Sequence, residues 1–169
     1  MEADEQALRR ARARHAAARD FFEAVREASR DAGRISRQLR AMEAREGVRA
    51  QGYEPRGRSG RLADATARVD ARMDFEEAKR TQLEADYEAI DAACEVLYGT
   101  DGRSGLWLAM GGEYADVLWW RYLGDATWDA VARMVGRSVT WCKQACWVAL
   151  DEIDSVGLEA TVAGRSVSE

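Results

Sequence analysis

Two helix breaks at close spacing in the stretch Val117–Ile153 constrain this chain more than any other feature of its sequence. Gly124 and Gly136 interrupt the helical pattern. Each glycine is followed by a favourable N-cap residue, Thr127 and Ser138 respectively. The helix between the breaks has to be short, and the turn at Gly136 leaves room only for close packing of its neighbours. The spacing predicts a three-helix unit whose second and third helices form a helix-turn-helix.

The third helix of this unit has one face suited to a core and one suited to a ligand. Small and apolar residues recur on it at spacings of three and four, the stripe that a helix buries: Cys142, Ala145, Cys146, Ala149 and Ile153. In helix-turn-helix motifs the first turns of the last helix enter the DNA major groove. The predicted DNA-contacting residues are Arg137, Ser138, Val139, Thr140, Lys143 and Gln144. Of these, Lys143 and Gln144 are suited to donate to base edges or phosphates.

Tryptophan is concentrated in the same unit, at Trp119, Trp120, Trp128, Trp141 and Trp147. A helical period of about 3.6 residues cannot bury the adjacent Trp119 and Trp120 equally, so some rings are expected at the surface. Exposed aromatic rings mark interaction surfaces. We assign Trp141 and Trp147 to protein contact and Trp128 to the core.

The stretch resembles region 4 of bacterial RNA polymerase sigma factors, and the small phage and prophage transcriptional regulators of the ArpU type that share this motif. The positions that match the family pattern are Val117, Leu118, Arg121, Tyr122, Thr127, Asp129, Val131, Ala132, Ser138, Cys142, Lys143, Gln144, Ala149, Leu150 and Ile153. The resemblance implies promoter contact at Val139, Thr140, Lys143 and Gln144, where sigma factors commonly have Arg, Glu, Arg and Gln. Only the last two agree in kind, which implies a different DNA site. RNA polymerase is implied as a partner that holds the unit near DNA.

The remainder of the chain predicts long helices, because it combines a single Pro with abundant Ala, Arg and Glu. Residues 3–46 and 62–97 have apolar residues near heptad spacing, and a glycine-rich mobile loop over 47–61 separates them. The apolar row of the first helix is Leu8, Ala11, Ala18, Phe22, Val25, Ala32, Ile35, Leu39 and Met42. The apolar row of the second helix is Leu83, Tyr87, Ile90, Cys94 and Leu97. The two helices either bury each other as an antiparallel hairpin or pair between subunits as a coiled coil, which makes a homo-oligomer an open alternative.

The predicted organisation is all-α, with a long-helix region 1–97, a connector 98–112, the helix-turn-helix unit 113–153 and a frayed tail 154–169. The glycines of the connector do not form a phosphate-binding loop, because no Lys-Ser or Lys-Thr pair follows them. Its apolar middle is instead expected to form a helical turn that docks on the helix-turn-helix. That apolar middle comprises Leu106, Trp107, Leu108 and Met110.

Charge is divided unequally along the chain. Residues 1–62 carry 15 Arg against 10 acidic residues, a net +5, whereas residues 63–169 carry a net −10. DNA affinity depends largely on Lys and Arg at phosphates. The basic residues between Val117 and Ile153 are Arg121, Arg133, Arg137 and Lys143. The unit alone is therefore expected to bind DNA weakly, with help from the basic N-terminal segment, dimerisation or RNA polymerase.

Several function classes are disfavoured by the residues. The three cysteines are expected to be free thiols, and a metal site at Cys142 and Cys146 lacks a second ligand pair, since His15 is remote. No base is placed beside a nucleophile, so we predict no enzyme activity, no catalytic residues and no cofactor. No segment has the length and apolarity of a membrane span or secretion signal, so a cytoplasmic protein without membrane partners is expected.

Two functional hypotheses follow from different classes. The first is a DNA-binding transcriptional regulator that reads double-stranded DNA through Lys143 and Gln144. The second is a non-enzymatic adaptor that uses the same helices to bind RNA polymerase or another protein, which Val139, Trp141 and Trp147 favour, because a fold does not determine its function.

Overall fold

The computed structural model describes residues 16–50 and 60–166, and within these residues it is helical without strands. The helices are α1 (Ala16–Ala50), α2 (Gly60–Tyr98), α3 (Gly105–Met110), α4 (Gly112–Leu118), α5 (Trp128–Val135), α6 (Val139–Val156) and α7 (Leu158–Val162). A π-helical turn, Trp119–Leu123, continues α4. The predicted all-α class is confirmed. Across the part of the chain that is described, none of the helices is long and apolar enough to cross a membrane.

The chain divides into two compact units whose boundaries differ from the predicted domains. One unit is Arg30–Tyr87, and the other combines Met1–Ser29 with Glu88–Glu169. The beginning of α1 and the end of α2 therefore belong with the helices of the predicted helix-turn-helix unit, not with a separate region 1–97. We call the second unit the reader unit.

Within Arg30–Tyr87, α1 and α2 run antiparallel. Arg72 forms an ion pair with Glu46, and Arg80 forms one with Glu43 at 3.4 Å. A later position on α2 therefore pairs with an earlier position on α1, as antiparallel helices require. The buried apolar residues of α1 here are Ala32, Ile35 and Leu39. The predicted loop 47–61 is shorter than expected at both ends, because α1 continues through Gly47 to Ala50 and α2 begins at Gly60. Residues 51–59 of that loop lie outside the described residues.

The predicted apolar row of α2 is wrong at one position. Tyr87 is 49% exposed, whereas the neighbouring Asp86 is only 6% exposed. Arg72 lies on the α1-facing side of α2 and reaches Glu46, and this row of α2 continues through Lys79 to Asp86. At this level the residue that faces α1 is therefore Asp86 and not Tyr87, whereas Leu97 is buried and Ile90 and Cys94 pack against the core as predicted.

The core of the reader unit collects apolar side chains from six helices. Its members include Phe22 and Val25 of α1, Ala93 and Leu97 of α2, Leu106 of α3, Val117 and Leu118 of α4, Val131 of α5, and Cys142, Ala149 and Ile153 of α6. Phe22 packs on Tyr122 of the π-helical turn, with ring centroids 5.4 Å apart. The heptad pattern that predicted burial of Phe22 and Val25 is confirmed, but their partners are the reader helices. Leu8 and Ala11 of the same pattern lie outside the described residues.

The connector and the tail both contribute helices to this unit. The predicted helical turn is α3, which contacts α6 and α7 and buries Leu106, while Leu108 remains 58% exposed. The predicted frayed tail is wrong for residues 154–166. α6 extends to Val156, and α7 buries Thr161, whose hydroxyl donates to the carbonyl of Gly157 at 2.8 Å.

Candidate nucleic-acid interface

The turn between α5 and α6 has the local geometry that its residues predict. The Thr127 hydroxyl caps α5 by accepting the N–H of Ala130 at 3.3 Å. Gly136 ends α5 in the left-handed region at φ 73°, which glycine adopts without strain. The Ser138 hydroxyl then caps α6 by accepting the N–H of Trp141 at 3.1 Å. The three predicted end signals are confirmed.

The buried face of α6 is the predicted stripe. Cys142, Ala145, Cys146, Ala149 and Ile153 are all at most 4% exposed. Burial raises the pKa of Cys146 to about 11, and burial also raises the pKa of Tyr122, whose hydroxyl lies 3.9 Å from the Cys146 sulfur. Both groups are therefore neutral near pH 7 and act as packing residues. Among the described residues, no group of three or more His, Cys, Asp and Glu side chains is placed to hold a metal ion.

The opposite face of α6 presents polar side chains along its first two turns. Thr140, Lys143 and Gln144 are exposed, and Val139 is half-buried. Ser138 is exposed, although its hydroxyl is already engaged as the cap. Since residues one position apart are rotated by about 100°, Lys143 and Gln144 project beside each other and away from the core. This short polar surface contains the residues that the sequence predicts to contact DNA.

Arg137 is engaged inside the unit. Its Nη2 lies 2.9 and 3.0 Å from the two carboxylate oxygens of Glu113, its Nε lies 3.2 Å from one of them, and both side chains are about half exposed. The guanidinium also stacks over the Trp141 ring at 5.1 Å. Arg137 can therefore contact a phosphate only if its guanidinium leaves the Glu113 carboxylate.

The two tryptophans predicted to contact protein occupy different environments. Trp141 is half-buried between Arg137 and Tyr114, whose ring lies 5.7 Å away. Trp147 is 51% exposed, as is the adjacent Val148, and Arg19 of α1 stacks over the Trp147 ring at 4.9 Å. Trp141 thus supports the turn, whereas Trp147 and Val148 form an exposed apolar surface on the middle of α6.

The remaining tryptophans hold the segment that leads into α5. Trp119 and Trp120 are both half-buried and pack edge to face, with ring centroids 4.8 Å apart. Arg121 donates to the carbonyl of Ala126 at 2.9 Å and stacks on Trp128 at 4.7 Å. Arg121 therefore stabilises the segment that precedes α5. Because it is engaged there, it is no longer one of the four basic residues available for phosphate contact.

Helix α1 supports the same segment from the other side, which sequence reasoning missed. Arg26 donates to Asp125 at 2.6 Å, and the Ser29 hydroxyl donates to the carbonyl of Leu123 at 2.6 Å. Asp125 has a positive φ of 47°, which non-glycine residues rarely adopt, so this loop depends on its contacts. The available signal was the spacing of Phe22, Arg26 and Ser29, at steps of four and three, which places the two polar side chains on the same helix face as the buried ring.

Comparison of the whole chain with protein-family models, with curated proteins and with solved structures finds no match in any of the three. The resemblance to sigma region 4 therefore remains a prediction from the residues themselves.

Proposed function

We propose that the protein is a DNA-binding transcriptional regulator, of the kind that phages and prophages carry, in which the first turns of α6 enter the major groove of double-stranded DNA. The observation that carries the proposal is the capped α5–turn–α6 geometry together with the exposed Thr140, Lys143 and Gln144. This places donors of the types that read base edges and phosphates at the N-terminal end of a helix.

The two polar residues have separable tasks in this proposal. Gln144 reads a base edge, and a bidentate contact to adenine contributes roughly 1–3 kcal/mol of discrimination against other bases. Lys143 meets a phosphate, and loss of one phosphate contact lowers the slope of log affinity against log salt by about 0.9. The effect of Gln144 is therefore sequence-dependent, and that of Lys143 is uniform over sequences.

The experiment begins with capture of genomic DNA by the tagged full chain, which supplies the best fragment. Binding to that fragment and to single-base variants is then measured by fluorescence anisotropy over a salt series. We expect Lys143→Ala to weaken binding to all fragments and Gln144→Ala to lose discrimination at one base pair. The matched controls are Lys79→Ala, which removes the other lysine of the chain, and Gln38→Ala, another exposed glutamine, both outside the reader unit.

The outcome that refutes the proposal is normal folding of Lys143→Ala and Gln144→Ala, judged by circular dichroism, with affinity for the best fragment unchanged. Both side chains are exposed, so neither change is expected to unfold the unit.

A second candidate function is favoured by the apolar surface of Trp147 and Val148, each 51% exposed. An adaptor that binds RNA polymerase or another protein would bury this surface, because aromatic anchors dominate interface energetics. Under this alternative Trp147→Ala abolishes a protein contact, while Lys143→Ala leaves the complex intact. Pull-down with purified RNA polymerase, with both variants in parallel, distinguishes the two functions.

A further inference from the structure

The ring of Trp147 lies on the same face of α6 as the two polar residues that the proposed function uses. Trp147 follows Gln144 by three positions and Lys143 by four. At about 100° per residue, its side chain leaves the helix between those of Lys143 and Gln144, roughly 40° from the first and roughly 60° from the second. Trp147 is 51% exposed, in agreement with this placement. The surface that carries Lys143 and Gln144 therefore continues to the Trp147 ring, about one helical turn further along α6.

Arg19 of α1 brings a positive charge to this face. The carbon at the centre of its guanidinium lies 4.9 Å from the centroid of the Trp147 ring. The neighbouring residue attaches the beginning of α1 to α6, because Ala18 is buried and its N–H donates to Asp154 at 2.8 Å. Arg19 is therefore held beside the exposed face of α6, although it belongs to a helix that is distant in the sequence.

The guanidinium of Arg19 is not engaged by a carboxylate. Arg26 and Arg137 each form an ion pair with an acidic residue of the reader unit. Within residues 16–50 and 60–166, no carboxylate forms an ion pair with Arg19, and this includes Asp151, one turn beyond Trp147 on α6. A cation–π contact needs no hydrogen bond, and the N–H groups of a guanidinium match the geometry of a phosphate. Arg19 is thus an arginine that an aromatic ring positions and that retains its donors for an anion.

We propose that Arg19 contacts a DNA phosphate at the edge of the groove that α6 enters, and that Trp147 positions it there. The inference rests on the proposed function, since it requires that the protein binds DNA. Contacts to phosphates determine where a protein sits on the duplex, whereas contacts to base edges determine which sequence it prefers. Arg19 therefore orients α6 from a neighbouring helix, and it adds a phosphate contact to a unit with few available basic residues.

The first test measures binding of the full chain to the best genomic fragment by fluorescence anisotropy over a salt series. Arg19→Ala is expected to weaken binding to all fragments by about 10-fold and to lower the slope of log affinity against log salt by about 0.9, with base discrimination unchanged. Arg19→Lys keeps the charge but not the planar donors, so it is expected to keep the slope and lose part of the affinity. The matched control is Arg40→Ala, which removes an exposed arginine of α1 in the other unit and is expected to leave both quantities nearly unchanged.

The second test asks whether Trp147 acts through Arg19. Trp147→Ala is expected to weaken binding by about 2- to 5-fold, the value of an exposed cation–π contact, and to cause no further loss in a chain that already carries Arg19→Ala. Trp147→Tyr retains an aromatic ring and is expected to retain most of the affinity. Circular dichroism checks that each variant folds. Loss of stability alone would lower affinity equally in both backgrounds, so the double variant separates positioning from folding.

The inference is overturned if Arg19→Ala has the affinity and salt slope of Arg40→Ala, or if Trp147→Ala weakens binding equally with and without Arg19. If Arg19→Ala has no effect while Lys143→Ala and Gln144→Ala weaken binding, only the Arg19 contact is wrong and the proposed function stands. If Arg19→Ala weakens binding while those two variants do not, the proposed role of α6 is wrong and the Arg19 contact stands. A wild-type chain that captures no DNA overturns both.

Discussion

Removal of the Glu113 carboxylate is expected to strengthen DNA binding, because that carboxylate competes with phosphate for Arg137. The three N–O distances between the two side chains are 2.9, 3.0 and 3.2 Å, and the side chains are 49% and 48% exposed. Exposed ion pairs of this kind contribute about 0.2–1 kcal/mol. If Arg137 leaves Glu113 to meet DNA, that energy is lost from the binding reaction.

The expected gain in DNA affinity can be calculated from the energy of this ion pair. With RT near 0.59 kcal/mol, a release of about 0.2–1 kcal/mol corresponds to a gain in affinity of roughly 1.5- to 5-fold for Glu113→Gln. Glu113 also lies in the first turn of α4, where a carboxylate stabilises the helix by about 0.3–1 kcal/mol. The variant is therefore expected to lose less than about 2 kcal/mol of stability and to remain folded.

A double-mutant cycle with Arg137→Ala isolates the exchange. Binding of the best genomic fragment is measured by fluorescence anisotropy at one salt concentration for wild type, both single variants and the double variant. We expect Glu113→Gln to raise affinity in wild-type protein and to have little effect when Arg137 is absent. An equal gain in both backgrounds would mean that Glu113 acts as a general negative charge, and no gain would mean that Arg137 does not contact DNA.

Two further predictions concern stability. Gly105→Ala is expected to lower the free energy of unfolding by about 2–5 kcal/mol, because φ is positive and an added Cβ would lie 2.6 Å from the backbone nitrogen of Gly99. The control is Gly102→Ala, where φ is also positive but the space is open, and it should lower the free energy of unfolding by about 1–2 kcal/mol. Both variants are measured by thermal melts. Burial raises the pKa of Cys146 from 9.0 to about 11, so its contribution to stability is present below pH 9 and lost as pH rises through about 11. Urea unfolding should therefore show falling stability from pH 9 to pH 11, and constant stability would contradict this assignment.

The features that the sequence predicts best are those set by a few neighbouring residues. The caps at Thr127 and Ser138 and the left-handed Gly136 each depend on a hydrogen bond or a backbone angle within four residues. The buried stripe of α6, including Cys142 and Ile153, depends only on helical period. These are local properties of the chain, and the structure confirms them.

The features that sequence reasoning missed depend on distant residues or on two competing patterns. Glu113 and Arg137 are 24 positions apart, so their pairing depends on how α4 packs against the turn. On α2, two rows at heptad spacing overlap. The pattern alone did not distinguish the row that faces α1, with Asp86, from the predicted row that includes Tyr87. The five residues of α7 are too few to show a period, although Thr161 is fully buried.

The acidic charge of the reader unit is the main physical objection to DNA binding, and the arrangement of α6 reduces it. Asp154 accepts the N–H of Ala18 at 2.8 Å, close to the N-terminal end of α1, where a carboxylate is favourable. The acidic residues of α6 begin at Asp151, about 11 Å along the helix from Gln144 and about 17 Å from Thr140 at roughly 1.5 Å per residue. Both separations exceed the Debye length of roughly 8 Å at physiological salt, so screening reduces the repulsion between these charges and phosphates at the first turns of α6. The C-terminal part of α6 then contacts α1 through Asp154, while the N-terminal part, with Lys143, is available for the proposed contact with the DNA groove.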